Sequence, residues 1–202
     1  TGGPTTTTTA GPTTTTTTGG PTTTTTTTIA PLNEWFLPSL QELLWMNSNL
    51  YTYLGDFIAP PNTWRYWSSS ENNASTAWSL YSYSPSYAAT QKNAGSIYHV
   101  VAVRIFYSAT LYNNGDVGPK GGRIFFPNYT HIRQPGTGST YLYYECQKLA
   151  DQTIGYTWSN VTNSLVGGTS TAGGTGKANT LLIISQPGHT TSAAKLCYDY
   201  NP

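Results

Sequence analysis

The chain has 202 residues, a formal net charge of +1 and only 8% charged residues, where an ordinary soluble domain carries about 25%. Its nine Lys and Arg form no basic stripe, which excludes electrostatic nucleic-acid binding. Even an apolar run such as Leu181-Leu182-Ile183-Ile184 falls far short of the roughly 20 residues of a membrane-spanning helix.

Residues 1–31 are a Thr-rich low-complexity segment, and residues 32–202 form one domain of ordinary size. In the first, Thr runs of five, six and seven are separated by Ala10-Gly11-Pro12 and Gly19-Gly20-Pro21, after an opening Gly2-Gly3-Pro4. Gly does not recur every third residue, which excludes a collagen helix. Each Pro removes an amide donor and each Gly weakens an ordered segment, so neither a long helix nor an uninterrupted strand runs through it. Two readings fit. In one, the hydroxyls of Thr5, Thr6, Thr7, Thr8, Thr9, Thr13, Thr14, Thr15, Thr16, Thr17, Thr18, Thr22, Thr23, Thr24, Thr25, Thr26, Thr27 and Thr28 are candidate O-glycosylation sites, and crowded glycans hold an extended stalk on the order of 85 Å long. In the other, bare β-branched runs add to an exposed sheet edge of another subunit. A disordered linker is the third reading. Thr1 in place of Met fits a removed leader or a longer parent chain.

Within the domain, Pro38 ends an extended segment, Ser39 caps a helix expected over residues 39–50, and Glu42, three residues later, completes a capping box. Leu40, Leu43, Leu44 and Met46 or Asn47 give its buried stripe, with Trp35, Phe36 and Trp67 as the nearest aromatic cover. Pro60-Pro61-Asn62 reads as a loop, 64–69 as a strand, 71–76 as a turn, 77–83 as a strand and 84–95 as a loop. Residues 97–106 are a nearly continuous apolar run, interrupted by His99 and Arg104, and read as one buried strand. Turn chemistry at Asn113-Asn114-Gly115-Asp116 and over 118–122 marks a boundary between two halves. Strands are expected at 123–126 and 141–145, a helix at 178–186 ended by Pro187-Gly188, and a last helix at 192–198 that turns Leu196 and Cys197 inward.

Few residues point to catalysis. Gly173-Gly174-Thr175-Gly176-Lys177 invites a phosphate-loop reading, but the earlier Gly that loop needs falls on Thr171, and Ala178 replaces its Ser or Thr. His99, His131 and His189 lack metal-ligand spacing, and the eight acids show no glycosidase dyad. No catalytic, cofactor or metal site is expected, and the protein is read as no enzyme. Cys146 and Cys197, the only cysteines, form a candidate disulfide that would contribute roughly 4 kcal/mol by loop closure; two buried thiols are the alternative. Asn73-Ala74-Ser75, Asn128-Tyr129-Thr130 and Asn160-Val161-Thr162 fit the N-glycosylation triplet, which arises easily by chance here. Residues 72–96 are rich in Tyr, Ser and Asn, a composition suited to recognition. Asn72, Asn73, Trp78, Tyr81, Tyr83 and Tyr87 are therefore a candidate ligand or assembly surface, with internal packing as the competing role.

The motifs together resemble the Lcl C-terminal domain family (domain of unknown function 1566), which is C-type-lectin-like. The segment from Gly115-Asp116 through Gly118-Pro119 and Gly121-Gly122 to Phe125 is similar to the family's opening. Asp151-Gln152-Thr153-Ile154-Gly155, Gly174-Thr175-Gly176-Lys177-Ala178-Asn179-Thr180 and the segment around Ala194, Cys197 and Tyr200 are similar to its continuation. Trp35-Phe36-Leu37-Pro38-Ser39, Glu42-Leu43, Tyr66-Trp67-Ser68-Ser69-Ser70-Glu71, Ala77-Trp78 and the strand 101–106 resemble its second half. The order is permuted, with second-half motifs in 32–107 and first-half motifs in 113–202. Circular permutation within a chain, or swapping between chains, accounts for that order.

The resemblance implies an α+β fold: a compact C-type-lectin-like mixed domain with about three short helices and antiparallel strands, plus the extended N-terminal Thr-rich segment. The expected role is a structural subunit of an extracellular or cell-surface, O-glycosylated fibre or filament, homo-oligomeric and carrying covalent glycans. The alternative is a lectin-like adhesin or receptor-binding module that recognises a cell-surface glycan or protein through the Tyr/Ser/Asn-rich loop.

Overall fold

The computed structural model describes residues 13–17, 24–28, 34–50, 65–81, 84–94, 98–134, 138–148 and 151–202. It divides into two compact units, Thr1–Glu34 and Trp35–Pro202. In the first, β1 (Thr13–Thr17) and β2 (Thr24–Thr28) pair antiparallel from Thr13↔Thr28 to Thr17↔Thr24, forming a two-stranded sheet of their own. Each strand lies inside a single Thr run, where no Gly or Pro interrupts it. Thr5 to Thr9, Thr18, Thr22 and Thr23 lie outside the described residues, as does Tyr83.

The second unit mixes three helices with two largely antiparallel sheets. β3 (Trp35–Phe36) leads through Pro38 into α1 (Leu40–Leu50). The Ser39 hydroxyl accepts the Glu42 N–H at 3.3 Å, and the Glu42 carboxylate accepts the Ser39 N–H at 2.7 Å, so the capping box forms as expected. Leu40, Leu43, Met46, Asn47 and Leu50 are the buried stripe of α1.

One sheet has the strand order β11-β7-β4-β5-β6 and comprises Thr153–Ile154, Tyr98–Val100, Arg65–Glu71, Thr76–Tyr81 and Tyr87–Gln91; only its β7–β4 pairing is parallel. The other runs β3-β8-β10-β9, with β8 Val103–Ser108, β10 Gly138–Cys146 and β9 Arg123–Gln134. Two expectations change here. The single strand expected at 97–106 is two, because the chain leaves one sheet after Val100 and enters the other at Val103, with Val101 and Ala102 fully buried between them. The loop expected at 84–95 contains β6: its Ser- and Pro-containing start reads as loop, yet Ala88, Ala89 and Thr90 ladder onto β5. The strands expected at 123–126 and 141–145 are parts of one long hairpin, β9–β10. Pro127 lies on β9, an edge strand, which is where a sheet ordinarily admits proline.

Two cores result. The first joins α1 to both sheets through Leu43, Met46, Leu50, Tyr66, Leu80, Val103, Phe125 and Tyr144. On the opposite face of the five-stranded sheet, Trp67, Ala77, Tyr98 and Val100 pack with Trp158 and with α2 (Gly176–Ile184) and α3 (Ala193–Asp199). Burial on both faces explains why β4 and β7 are almost wholly inaccessible.

The candidate disulfide is corrected by this arrangement. Cys146 belongs to the first core and Cys197 to the second, and both are buried free thiols. Burial pushes the Cys146 thiol up to about 12 and that of Cys197 well above its ordinary range, which removes the reactive thiolate at neutral pH. A thiol reagent is therefore expected to label neither cysteine in the native protein and both after denaturation. Mass spectrometry of alkylated samples measures this.

Candidate functional site

The residues singled out as a surface are divided by the pleat of β5. Trp78 pairs with Ala89, and Leu80 with Tyr87, which places Trp78 and Tyr87 on one face, their rings edge-to-face at 5.4 Å. Tyr87 is 50% exposed. Tyr81 pairs instead with Arg65 and belongs to the opposite face, where the Arg65 guanidinium lies 4.1 Å from the Tyr81 ring centroid and donates to its hydroxyl. The same guanidinium donates to the Tyr98 hydroxyl at 3.0 Å and approaches that of Thr90. Arg65, Thr90 and Tyr98 were not legible as neighbours of Tyr81, because only strand register brings them together. Asn72 and Asn73 lie at the β4–β5 turn: the Asn73 side-chain oxygen accepts the N–H groups of Ser75 and Thr76 at 2.9 Å each, and the Asn72 amide donates to Thr76 Oγ1. The six candidates thus form an aromatic pair of one exposed and one half-buried ring, a tyrosine against an arginine and a closed turn, with Tyr83 outside the described residues.

Three buried glutamates organise the loops instead. Glu42 accepts the Gly174 N–H at 2.8 Å as well as that of Ser39, and the Gly176 amide also faces it. A protein carboxylate thus occupies the anion position at the start of α2, and the glycine-rich segment 173–177 serves Glu42 rather than a phosphate. Glu71 accepts the N–H groups of Val166 and Gly167 and pairs with Lys92 at 2.6 Å. Lys92 is fully buried, and its ammonium also donates to the Ser164 carbonyl and lies 4.9 Å from the Trp158 ring centroid. Glu145 accepts the N–H groups of Lys120 and Gly122 and pairs with Arg104 at 2.8 Å. The glycines of 118–122 are required by that embrace, since a Cβ on Gly122 would lie 1.8 Å from the Cys146 carbonyl oxygen.

Of the three histidines, two have side chains among the described residues. His189 hydrogen-bonds to Ser192 Oγ at 2.8 Å, beside the cap of α3. His99 is buried, and burial lowers its pKa; the His131 side chain is outside what is described. Among the described residues, no group of His, Cys, Asp and Glu could hold a metal ion, and no helix is long and apolar enough to cross a membrane. Asn160 donates from its amide nitrogen to the Gly188 carbonyl and accepts from Thr190 and Thr191, so the nitrogen an N-glycan would need is engaged. No family model, curated protein or solved structure matches the chain.

Two substitutions test the buried carboxylates. Lys92→Met strands the Glu71 charge and should destabilise the protein by about 3–5 kcal/mol, read by urea denaturation. Burial raises the Glu42 pKa above its ordinary 4.5, against the pull of the Ser39, Gly174 and Gly176 amides. The folded state therefore holds that proton more tightly than the unfolded state. This contribution is fully present below 4.5 and is lost as pH rises toward the folded-state pKa. Glu42→Gln should abolish that component of the pH–stability profile.

Proposed function

We propose that this chain is a structural subunit of an extracellular, O-glycosylated fibre, assembled through its globular unit and its Thr-rich segment. The observation that carries the reading is the β1–β2 sheet, ten registered residues that are all Thr, for which assembly gives a use and catalysis does not. The weakly charged composition supports it, since little like-charge repulsion opposes the stacking of copies. So does the engagement of Asn72, Asn73 and Tyr81 within the fold.

The permuted Lcl-type, C-type-lectin-like identity belongs to the same proposal. In support, the segment that the resemblance would join to Trp35 lies beside it: the Tyr200 and Trp35 rings meet edge-to-face at 5.0 Å. The two halves also share both sheets, joined where β8 pairs with β10 and where β7 pairs with β11.

A lectin-like adhesin is the second reading, and the exposed Tyr87, packed edge-to-face on the half-buried Trp78, favours it. Electron microscopy of the full-length protein without ligand separates the two. Regular fibres, with an intact mass above 21.8 kDa that chemical deglycosylation restores to that value, are the expected result. Discrete particles that bind a glycan array, and lose binding on Trp78→Ala or Tyr87→Ala, would establish the adhesin instead.

A further inference from the structure

The five-stranded sheet ends on β6, and no further strand pairs with this edge among the described residues. Tyr81 N–H donates to the Ser86 carbonyl at 2.9 Å and Lys92 N–H to the Ser75 carbonyl at 3.0 Å. Between them run the pairs Ser79↔Ala88 and Ala77↔Thr90. The backbone groups of 86, 88, 90 and 92 therefore face β5. By the alternation of an antiparallel ladder, the N–H groups of Tyr87, Ala89 and Gln91 point away from the sheet. The strand Tyr-Ala-Ala-Thr-Gln has no charge and no proline, and its pairing has no bulge; these are the features that normally keep an edge from recruiting another strand.

The Thr sheet is complementary to this edge. Its two strands have five residues each, the length of β6, and both its edges are open among the described residues. A two-stranded hairpin alone is marginal in water and needs a third strand or a packed surface. Threonine is β-branched and fits a pleated surface, and neither partner carries a charge that would oppose the approach.

We propose that the Thr sheet of one copy docks edge-on against β6 of a second copy, adding its two strands to the five already there. The proposal rests on the fibre reading above and names its contact. Because the two partners present different surfaces, the contact is heterologous and propagates into a filament wherever its rotation does not close. Main-chain hydrogen bonds hold the joint, and the side chains of the added strands stand above and below the sheet, leaving hydroxyls free to carry sugars.

The test uses two populations of full-length chain, one carrying Ala89→Cys and the other Thr15→Cys or Thr26→Cys, mixed and oxidised. The native thiols are buried. Facing residues of neighbouring strands lie within about 5.5 Å, close enough for a disulfide. A disulfide-linked heterodimer with at least one Thr variant is expected, along with loss of fibres on Ala89→Pro at unchanged melting temperature, since that change removes only an outward-facing N–H. Cross-linking no greater than with Asn163→Cys, an exposed loop position, would overturn the contact. If fibres nevertheless form and survive Ala89→Pro, the fibre reading stands and this joint falls. A cross-linked heterodimer without fibres would keep the joint and remove the fibre.

Discussion

The fold of the globular unit depends on three serines that cannot fit a regular ladder. Between the pairs Trp67↔Ser79 and Glu71↔Ala77, β4 has two more residues than β5, and the bulged Ser68-Ser69-Ser70 is fully buried. Buried hydroxyls and freed amides demand partners, and those partners come from distant parts of the chain. Ser69 N–H donates to the Pro38 carbonyl, and Ser70 Oγ accepts the Leu40 N–H while donating to the Ser170 carbonyl. Asn179 on α2 donates to Ser69 Oγ, and the Trp158 indole donates to the Ser68 carbonyl. One irregularity thereby fixes the start of α1, the placement of α2 and the seat of Trp158. Larger apolar residues at these positions could not make the same bonds.

The buried glutamates extend this logic to the loops. Glu42, Glu71 and Glu145 each accept at least two backbone N–H groups, and each takes at least one from a segment remote in sequence. A chain with so few charges has placed three of its eight acids inside, where each replaces the hydrogen bonds that an irregular loop cannot make to itself. Long segments without helix or strand are held in place by this means.

What the sequence made legible follows from how local each signal is. The capping box at Ser39 and Glu42 and the end of α2 near Pro187 rest on residues a few positions apart, and the structure has both. The carboxylate that fills the 173–177 loop comes from position 42, and the arginine beneath Tyr81 comes from the neighbouring strand; no spacing rule reaches either. The division of the 97–106 run into β7 and β8 was hidden for another reason. The apolar run continues through Val101 and Ala102 while the pairing partners change, and such a run reports burial rather than which sheet a strand has joined. Cys146 and Cys197 misled because composition cannot say that two thiols occupy different cores.

The passage from β7 to β8 also bears on how the molecule comes apart. Six consecutive residues, Tyr98 to Val103, are each 5% exposed or less and serve both sheets and both cores. Neither sheet can fray past this segment without withdrawing a strand from the other. Partial opening that spares one half of the unit therefore has no low-energy route, and the two sheets form a single cooperative element in which amide exchange in β4, β7, β8 and β10 reports global unfolding.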